Sequence, residues 1–308
     1  MEKVTNGCRI EINESGTIVR FKPGTITGGR ALTHDCGTSR SIGYFLEYLL
    51  YLAPFAKKPV QITLTGITND DLDLSVDVIR TVSLPLLAHF GIEEGLELRV
   101  TRRGCPPNGG GEVFFSCPTV RHLTPVQLLD VGKIKRIRGI SYGARVSPQT
   151  INRVVDAARG LLNQFLPDVY LYSDHFRGRE SGLSPGFGLS LVGESTTGCR
   201  VSVELAANPG TAPEDLGIQC AQLFAEEVSR GGCVDTSHQT LMFMLMTLCP
   251  EDVSRVRVGQ LSPYSIRFLR TLYEFFGLKF KITPDPESMT VTLACQGIGY
   301  VNFAKKAS

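Results

Sequence analysis

One order of predicted elements occurs twice in this chain of 308 residues, and this repeat constrains the fold more than any other feature. The spacing of apolar residues first predicts a helix, a strand, a second helix and two strands, over residues 38–55, 60–64, 74–90, 96–100 and 113–116. The same order returns over residues 236–248, 255–258, 262–276, 278–282 and 289–294. The repeat predicts sheets that carry helices on one face, in units that pack against one another.

Local signals mark the ends of several of these elements. Thr38 or Ser39 is expected to cap the first helix, and Ser262 is expected to cap the last, which Gly277 would end. Residues 9–13 and 17–21 are rich in β-forming residues and flank a Glu-Ser-Gly turn, which predicts a hairpin ahead of the first repeat.

A segment of different rhythm separates the two repeats. It is predicted to form a helix, a strand, a β-hairpin and a long helix over residues 213–230. We therefore expect an α+β protein with a large domain in two parts, residues 1–146 and 231–308, and a smaller inserted α/β domain, residues 147–230.

The composition excludes several classes of protein. Hydrophobic residues make up 42% of the chain and charged residues 20%, and no run of eighteen apolar residues occurs, so no membrane association is expected. The first seven residues contain no apolar signal region. Nine cysteines are scattered singly, without the spacing of metal ligands, which favours reduced thiols and no metal site.

Residues 103–111 contain the most specific pattern in the sequence, Arg-Gly-Cys-Pro-Pro-Asn-Gly-Gly-Gly. Consecutive glycines allow backbone N–H groups to approach an anion closely. The candidate anion site would combine the backbone N–H groups of Gly109, Gly110 and Gly111 with the positive charge and forked donors of Arg102 and Arg103. The alternative is a tight connection between strands that binds no ligand.

A second candidate for anion binding lies in residues 132–145, which contain five basic residues and no acid. Its candidate contacts are Lys133, Lys135, Arg136 and Arg138, which we expect to converge with the glycine segment on one phosphate site. In a regular strand these side chains cannot all face one way. The alternative is a solvated strand edge on which basic residues discourage aggregation.

The glycine pattern matches, at every fixed position, the Arg-Gly-x-x-Pro-x-Gly-Gly-Gly signature of the RNA 3'-terminal phosphate cyclases, and the chain resembles that family over nearly its whole length. Residues 184–194, 213–217 and 231–235 also resemble family segments. The resemblance implies three repeats, each similar to the C-terminal domain of translation initiation factor 3, with one inserted domain. Because the family begins with a strand and a long helix, the resemblance also implies that the chain is truncated at its N-terminus. The first of the family's three repeats, which lies before residue 38 and contains the hairpin, is then expected to be incomplete.

Two positions depart from the pattern of active cyclases. Leu261 occupies the position of the histidine that becomes adenylylated, and a leucine has no nucleophilic nitrogen. Thr240 and Leu241 stand where the cyclases carry an Asp-Gln pair. The nearby His238 is expected to be a packed or capping residue rather than a substitute nucleophile. These departures resemble the family's cyclase-like branch.

Membership of that branch implies a nucleolar protein without a cofactor that acts in early pre-rRNA processing for the small (40S) subunit. Its implied partners are pre-rRNA, a large nucleolar ribosome-biogenesis GTPase and components of the small-subunit processome. The sequence leaves open whether the chain itself cleaves RNA; Asp174, His175 and Arg177 are the candidates, and a polar loop is the alternative. The alternative functions are that of an active ATP-dependent cyclase and that of an enolpyruvyl transferase of related fold.

Overall fold

The computed structural model describes residues 1–305 of the chain. Its strands before the inserted unit are β1 Thr5–Asn6, β2 Arg9–Ile12, β3 Val19–Lys22, β4 Thr25–Ile26, β5 Gly29–Asp35, β6 Val60–Gly66, β7 Glu97–Arg102, β8 Gly111–Cys117 and β9 Gln127–Leu128. The remaining strands are β10 Ile134–Ala144, β11 Val169–Phe176, β12 Gly186–Ser195, β13 Arg200–Ala206, β14 Val253–Val258, β15 Lys281–Asp285 and β16 Thr290–Gln296. The helices are α1 Ile42–Leu52, α2 Val76–Val78, α3 Leu84–His89, α4 Pro148–Leu162, α5 Pro213–Arg230, α6 Gln239–Leu248 and α7 Pro263–Phe276.

The two predicted repeats form two sheets with the same strand order. The first sheet runs β5-β6-β8-β7, and the second runs β9-β14-β16-β15. In both sheets the outer strand that comes first in sequence is parallel to its neighbour, and the other pairings are antiparallel. The short strand β9 thus has the same position in the second sheet as β5 has in the first. The repeated order and the α+β class are confirmed.

A single apolar core joins the two repeats. Strand β6 alternates between buried and partly buried positions, so Val60, Ile62 and Leu64 reach the core from one face. Helix α6 is buried nearly all round, and Met242 and Leu245 lie in the same core. Burial of α6 explains why its sequence is almost wholly apolar.

The inserted unit has its own sheet and its own core. The sheet runs β11-β10-β12-β13, and α4 and α5 pack side by side over one face. Strand β10, which is hydrogen-bonded to both β11 and β12, begins at Ile134, so the proposed boundary at residue 147 falls behind the first strand of this sheet. The division of the chain into domains stays a prediction.

One face of the inserted sheet is not covered by α4 and α5, and we call it the uncovered face. Part of it lies against the second helical region of the first repeat. There, a π-helical turn over Ile79–Ser83 joins α2 to α3, a local feature that often marks functional sites. The Arg200 guanidinium donates to the Thr81 carbonyl over 2.6 Å, and the Ser75 N–H donates to the Glu204 carboxylate over 2.8 Å. These hydrogen bonds fix the inserted sheet to the large domain.

Several predicted element ends differ from the structure. The first helix begins after Ser41, not after Thr38 or Ser39, because the Asp73 carboxylate accepts the Ser41 N–H and holds the preceding residues outside the helix. The strand predicted over 278–282 begins three residues later, at Lys281. The Ser262 cap, the Gly277 stop and the hairpin of β2 and β3 are confirmed.

Candidate functional site

The glycine segment forms a joint between the first repeat and the inserted unit. The Gly109 N–H donates to the Cys105 carbonyl, and the Gly109 carbonyl accepts the Leu183 N–H. Gly109 has a φ of +59°, and a Cβ there would lie 2.9 Å from the Gly66 carbonyl carbon. A Cβ on Gly110 would lie 2.9 Å from the Leu183 side chain. These glycines permit close packing of backbone on backbone, which matches the ligand-free alternative.

Arg103 is buried and does not contact solvent, so its prediction as an RNA or anion contact is wrong. Its relative exposure is 0%. Its guanidinium donates to both oxygens of Asp77, over 2.6 and 3.1 Å, and to Asp174 over 2.8 Å. Asn69 accepts a further bond from the guanidinium. Two carboxylates therefore use the charge that a phosphate would need. The neighbouring Arg102 is exposed and stays a candidate.

The electrostatics of this cluster are those of a compensated buried pair. Burial by itself would raise the pKa of Asp77, but the Arg103 guanidinium outweighs burial and holds that pKa below its ordinary value. The Arg103 guanidinium carbon also lies 4.9 Å from the centre of the Tyr142 ring and 5.4 Å from that of Phe176. Because Asp77 belongs to the first repeat and Asp174 to β11, Arg103 links the large domain to the inserted unit.

His238 is packed as predicted and lies in a second buried cluster. Its Nδ1 is 2.6 Å from Asp235, and its Nε2 is 2.9 Å from the Ser83 hydroxyl. Burial by itself would lower the pKa of His238, but the Asp235 carboxylate outweighs burial and raises it. All three side chains are at most 2% exposed. Ser83, His238 and Asp235 are hydrogen-bonded in that order, but no substrate can reach them without rearrangement of the core.

The positions that depart from the cyclase pattern lie close together. Thr240 and Leu241 are buried in α6, and Leu261 lies in the connection between β14 and α7, where it packs against the main core. The Gln239 amide donates to the carbonyl of Gln260, the residue before Leu261. At the position that the resemblance assigns to the nucleophile, the structure therefore has an apolar side chain in contact with the core.

The basic segment does not converge with the glycine segment. Cys105 packs against Tyr142 and Ala144 at the far end of β10, whereas Lys133 precedes its first residue. Nine residues of strand separate Lys133 from Tyr142, a distance of roughly 30 Å. The prediction of one shared phosphate site is therefore wrong.

Most of the basic side chains of this segment have acidic partners. Glu194 pairs with both Lys135 and Arg136, over 2.9 and 2.6 Å. Arg138 forms a forked contact with Asp168 over 2.8 and 3.2 Å. Lys133 is exposed. One carboxylate compensates two cations at Glu194, so the segment keeps an excess of positive charge.

Asp174, His175 and Arg177 do not assemble into a cleavage site. Asp174 and His175 are adjacent in a strand, so their side chains point to opposite faces of the sheet. The His175 Nε2 donates to the Val146 carbonyl over 2.8 Å, and its Nδ1 accepts from Arg177 over 2.9 Å. Both ring nitrogens are occupied, and Asp174 is paired with Arg103, which favours the alternative of a polar loop. Cleavage by these residues stays an untested prediction.

The concave sites that adjoin the inserted sheet include a cleft and a groove. A cleft of about 630 Å³ lies beside the glycine segment and is lined by Asn69, Cys105, Pro107 and Phe187, among others. A groove of about 330 Å³ lies on the uncovered face of the sheet, between β10, β11, β12 and the π-helical turn. Its polar lining residues include Arg80, Arg138, Tyr172, Glu194 and Arg200. Sequence reasoning missed Arg80, Tyr172 and Arg200, because they are distant in sequence and belong to no motif.

Within residues 1–305 there is no cluster of three or more His, Cys, Asp or Glu side chains arranged to hold a metal ion. Over the same residues, none of the helices combines the length and apolarity needed to cross a bilayer.

The fold defines a protein with two related repeats, each built on one sheet, and an inserted α/β unit that the glycine segment joins to the first repeat. Residues 1–282 match the family described as RNA 3'-terminal phosphate cyclase. The chain is 54% identical to the probable RNA 3'-terminal phosphate cyclase-like protein of Dictyostelium discoideum, over 99% of this chain and 86% of that protein. It is 55% identical to the human RNA 3'-terminal phosphate cyclase-like protein, over 99% of this chain and 85% of that protein.

A third relative is the rRNA processing protein rcl1 of Schizosaccharomyces pombe, which is 44% identical over 99% of this chain and 85% of its own length. The chain belongs to the RNA 3'-terminal phosphate cyclase family, and its Dictyostelium and human relatives are named as cyclase-like proteins.

Proposed function

We propose that this protein is a ribosome-assembly factor that acts in pre-rRNA processing and has no cyclase activity. The observation that supports the proposal is the replacement of the nucleophile: Leu261, which is half-buried and packs against the core, stands at the position that the resemblance assigns to the cyclase histidine. Support also comes from the rRNA-processing relative in fission yeast. We further infer that the repeats resemble the C-terminal domain of translation initiation factor 3.

The finer proposal is a nucleolar role in the early cleavages that release the small-subunit rRNA. The partners would be pre-rRNA, a large nucleolar GTPase and other components of the small-subunit processome. A role as a bound factor rather than a nuclease is favoured, because the hydrogen bonds of His175 leave neither ring nitrogen free to take a proton.

The test is rapid depletion of the protein from cells, followed by northern blots with probes for the spacers on each side of the small-subunit rRNA. We expect precursors uncut at the early sites to accumulate, and the small-subunit rRNA to fall while the large-subunit rRNA is maintained. Re-expression of the chain should restore processing. Equal loss of both rRNAs, or unchanged precursors, would contradict a role in the early cleavages.

The alternative, an active ATP-dependent cyclase, predicts a different product. Incubation with radiolabelled ATP and RNA bearing a 3'-phosphate would then give adenylylated protein and 2',3'-cyclic ends. We expect neither.

A further inference from the structure

The groove on the uncovered face of the inserted sheet combines features that suit one ligand chemistry. Three guanidinium groups reach it from three separate elements: Arg80 from the π-helical turn, Arg138 from β10 and Arg200 from β13. Tyr172 lines the same space and is 55% exposed. None of these residues belongs to the glycine signature, and the 630 Å³ cleft has a different lining.

Arg80 and Arg200 are held in place without being fully neutralised. Arg138 has an acidic partner, the more exposed Asp168, which forms a forked contact with it. Arg200 is anchored by its bond to the Thr81 carbonyl, which is a neutral acceptor. Arg80 lies 3.6 Å from Asp77, but Asp77 is already bound at both oxygens by Arg103. Such preorganised, forked donors suit phosphate oxygens, which accept two parallel hydrogen bonds from one guanidinium.

Glu194, the acidic residue in the groove, does not make the net charge of the groove negative. Burial by itself would raise the pKa of Glu194, but its hydrogen bonds to Lys135 and Arg136 outweigh burial and lower it. Glu194 is therefore ionised and shared between two cations. The groove as a whole retains positive charge.

The aromatic side chains supply a surface for a planar group. The Tyr170 and Tyr172 rings meet edge to face, with their centres 4.5 Å apart, and both are more than half exposed. Two large exposed rings on one face of the strand form an aromatic patch of the kind that marks interaction sites. Nucleobases stack on such rings in proteins that bind single-stranded RNA.

We propose that this groove binds a nucleotide of single-stranded RNA, with its base on Tyr172 and its phosphates on Arg80, Arg138 and Arg200. The volume of about 330 Å³ is near the lower end for ligand pockets, which suits one nucleotide and not a duplex. An acidic peptide would satisfy the guanidinium groups but would leave the two rings uncovered. The inference rests on the proposed function and names the surface by which the protein contacts RNA.

The test is the affinity of the full chain for a fluorescein-labelled 12-nucleotide oligouridylate, measured by fluorescence anisotropy at several salt concentrations. Loss of one stacked base predicts that Tyr172→Ala weakens binding about tenfold, whereas Tyr172→Phe keeps it. The double variant Arg80→Ser, Arg138→Ser should lower the slope of log K against log salt by about 1.4, since each phosphate contact to a single strand contributes roughly 0.7.

Matched controls lie elsewhere on the chain. Tyr273 in α7 is 48% exposed, so Tyr273→Ala removes a similar ring away from the groove. Arg159 in α4 has a surface acidic partner, Asp156, as Arg138 has Asp168, but lies on the helical face of the inserted unit. Both control variants should bind as the unchanged chain does.

The outcomes separate the two proposals. If the unchanged chain binds RNA and the groove variants retain its affinity and salt slope, the groove assignment is wrong while RNA binding stands. If the unchanged chain binds no RNA, direct RNA contact is refuted together with the groove. If Tyr172→Phe loses binding as Tyr172→Ala does, stacking is refuted. Tighter binding of duplex RNA or of an oligoglutamate peptide would overturn the choice of ligand.

Discussion

Replacement of Arg103 by methionine should destabilise the protein far more than the same change at its neighbour Arg102. Arg103 is the signature arginine, but it is fully buried between Asp77 and Asp174. Methionine would leave the wholly buried Asp77 carboxylate with only Asn69 and the more distant Arg80 as partners. Removal of one member of a buried ion pair costs roughly 3–5 kcal/mol.

The expected shift in melting temperature follows from the size of the chain. The entropy of unfolding is about 2.1 cal/mol/K per residue, or near 0.65 kcal/mol/K for 308 residues. A loss of about 4 kcal/mol therefore lowers Tm by roughly 6 °C. The exposed Arg102 should change the free energy of unfolding by less than about 0.5 kcal/mol when replaced by methionine, which is below 1 °C.

Urea unfolding and thermal unfolding, each followed by circular dichroism, would measure both variants. The double variant Arg103→Met, Asp77→Leu should regain part of the lost stability, because it removes the unpaired buried charge. Equal Tm values for the Arg102 and Arg103 variants would refute the structural role of Arg103. Failure of the double variant to regain stability would show that the cost comes from packing and not from charge.

Three further predictions concern other parts of the structure. Burial raises the pKa of Glu204 to about 7, so the stability linked to its protonated form is fully present below its unfolded pKa and is lost as pH rises through about 7; Glu204→Gln, which can still accept the Ser75 N–H, should raise Tm by roughly 5 °C at pH 8 and leave it nearly unchanged at pH 4, and an equal gain at both pH values would contradict this. Gly109→Ala should lower the free energy of unfolding, measured with urea, by roughly 2 kcal/mol, because the added Cβ would clash with Gly66 and strain a backbone of positive φ. Gly198 also has a positive φ but no atom within 4 Å of an added Cβ, so Gly198→Ala should cost about half as much. Equal losses would show that only the backbone strain matters. Incubation with radiolabelled ATP should leave the protein unlabelled, since Leu261 offers no nitrogen; stoichiometric labelling would refute the loss of the nucleophile.

Much of the fold can be predicted from the sequence because local sequence patterns determine the elements of the repeat. Alternation in β6, the Ser262 cap and the Gly277 stop are each determined within a few residues. The start of α1 was not predictable, since it depends on Asp73, which lies 32 residues away from Ser41 and acts only in the folded chain.

The site was harder to predict, for the same physical reason. Arg103 looks like an anion contact in sequence because its two acidic partners lie 26 and 71 residues away. His175 looks like a general base until Val146 and Arg177 are seen at its two nitrogens. Tyr172 and Arg200 belong to no motif, and only the pairing of the inserted sheet and its contact with the large domain bring them together.

The most direct test of the central claim is crosslinking of the protein to RNA in living cells, with the bound RNA sequenced and the crosslinked peptides identified by mass spectrometry. The account predicts that pre-rRNA around the small-subunit rRNA is strongly enriched, and that crosslinked peptides come from β11, which contains Tyr172. Absence of pre-rRNA from the crosslinked RNA would contradict the account; so would crosslinks to pre-rRNA that all fall outside the inserted unit.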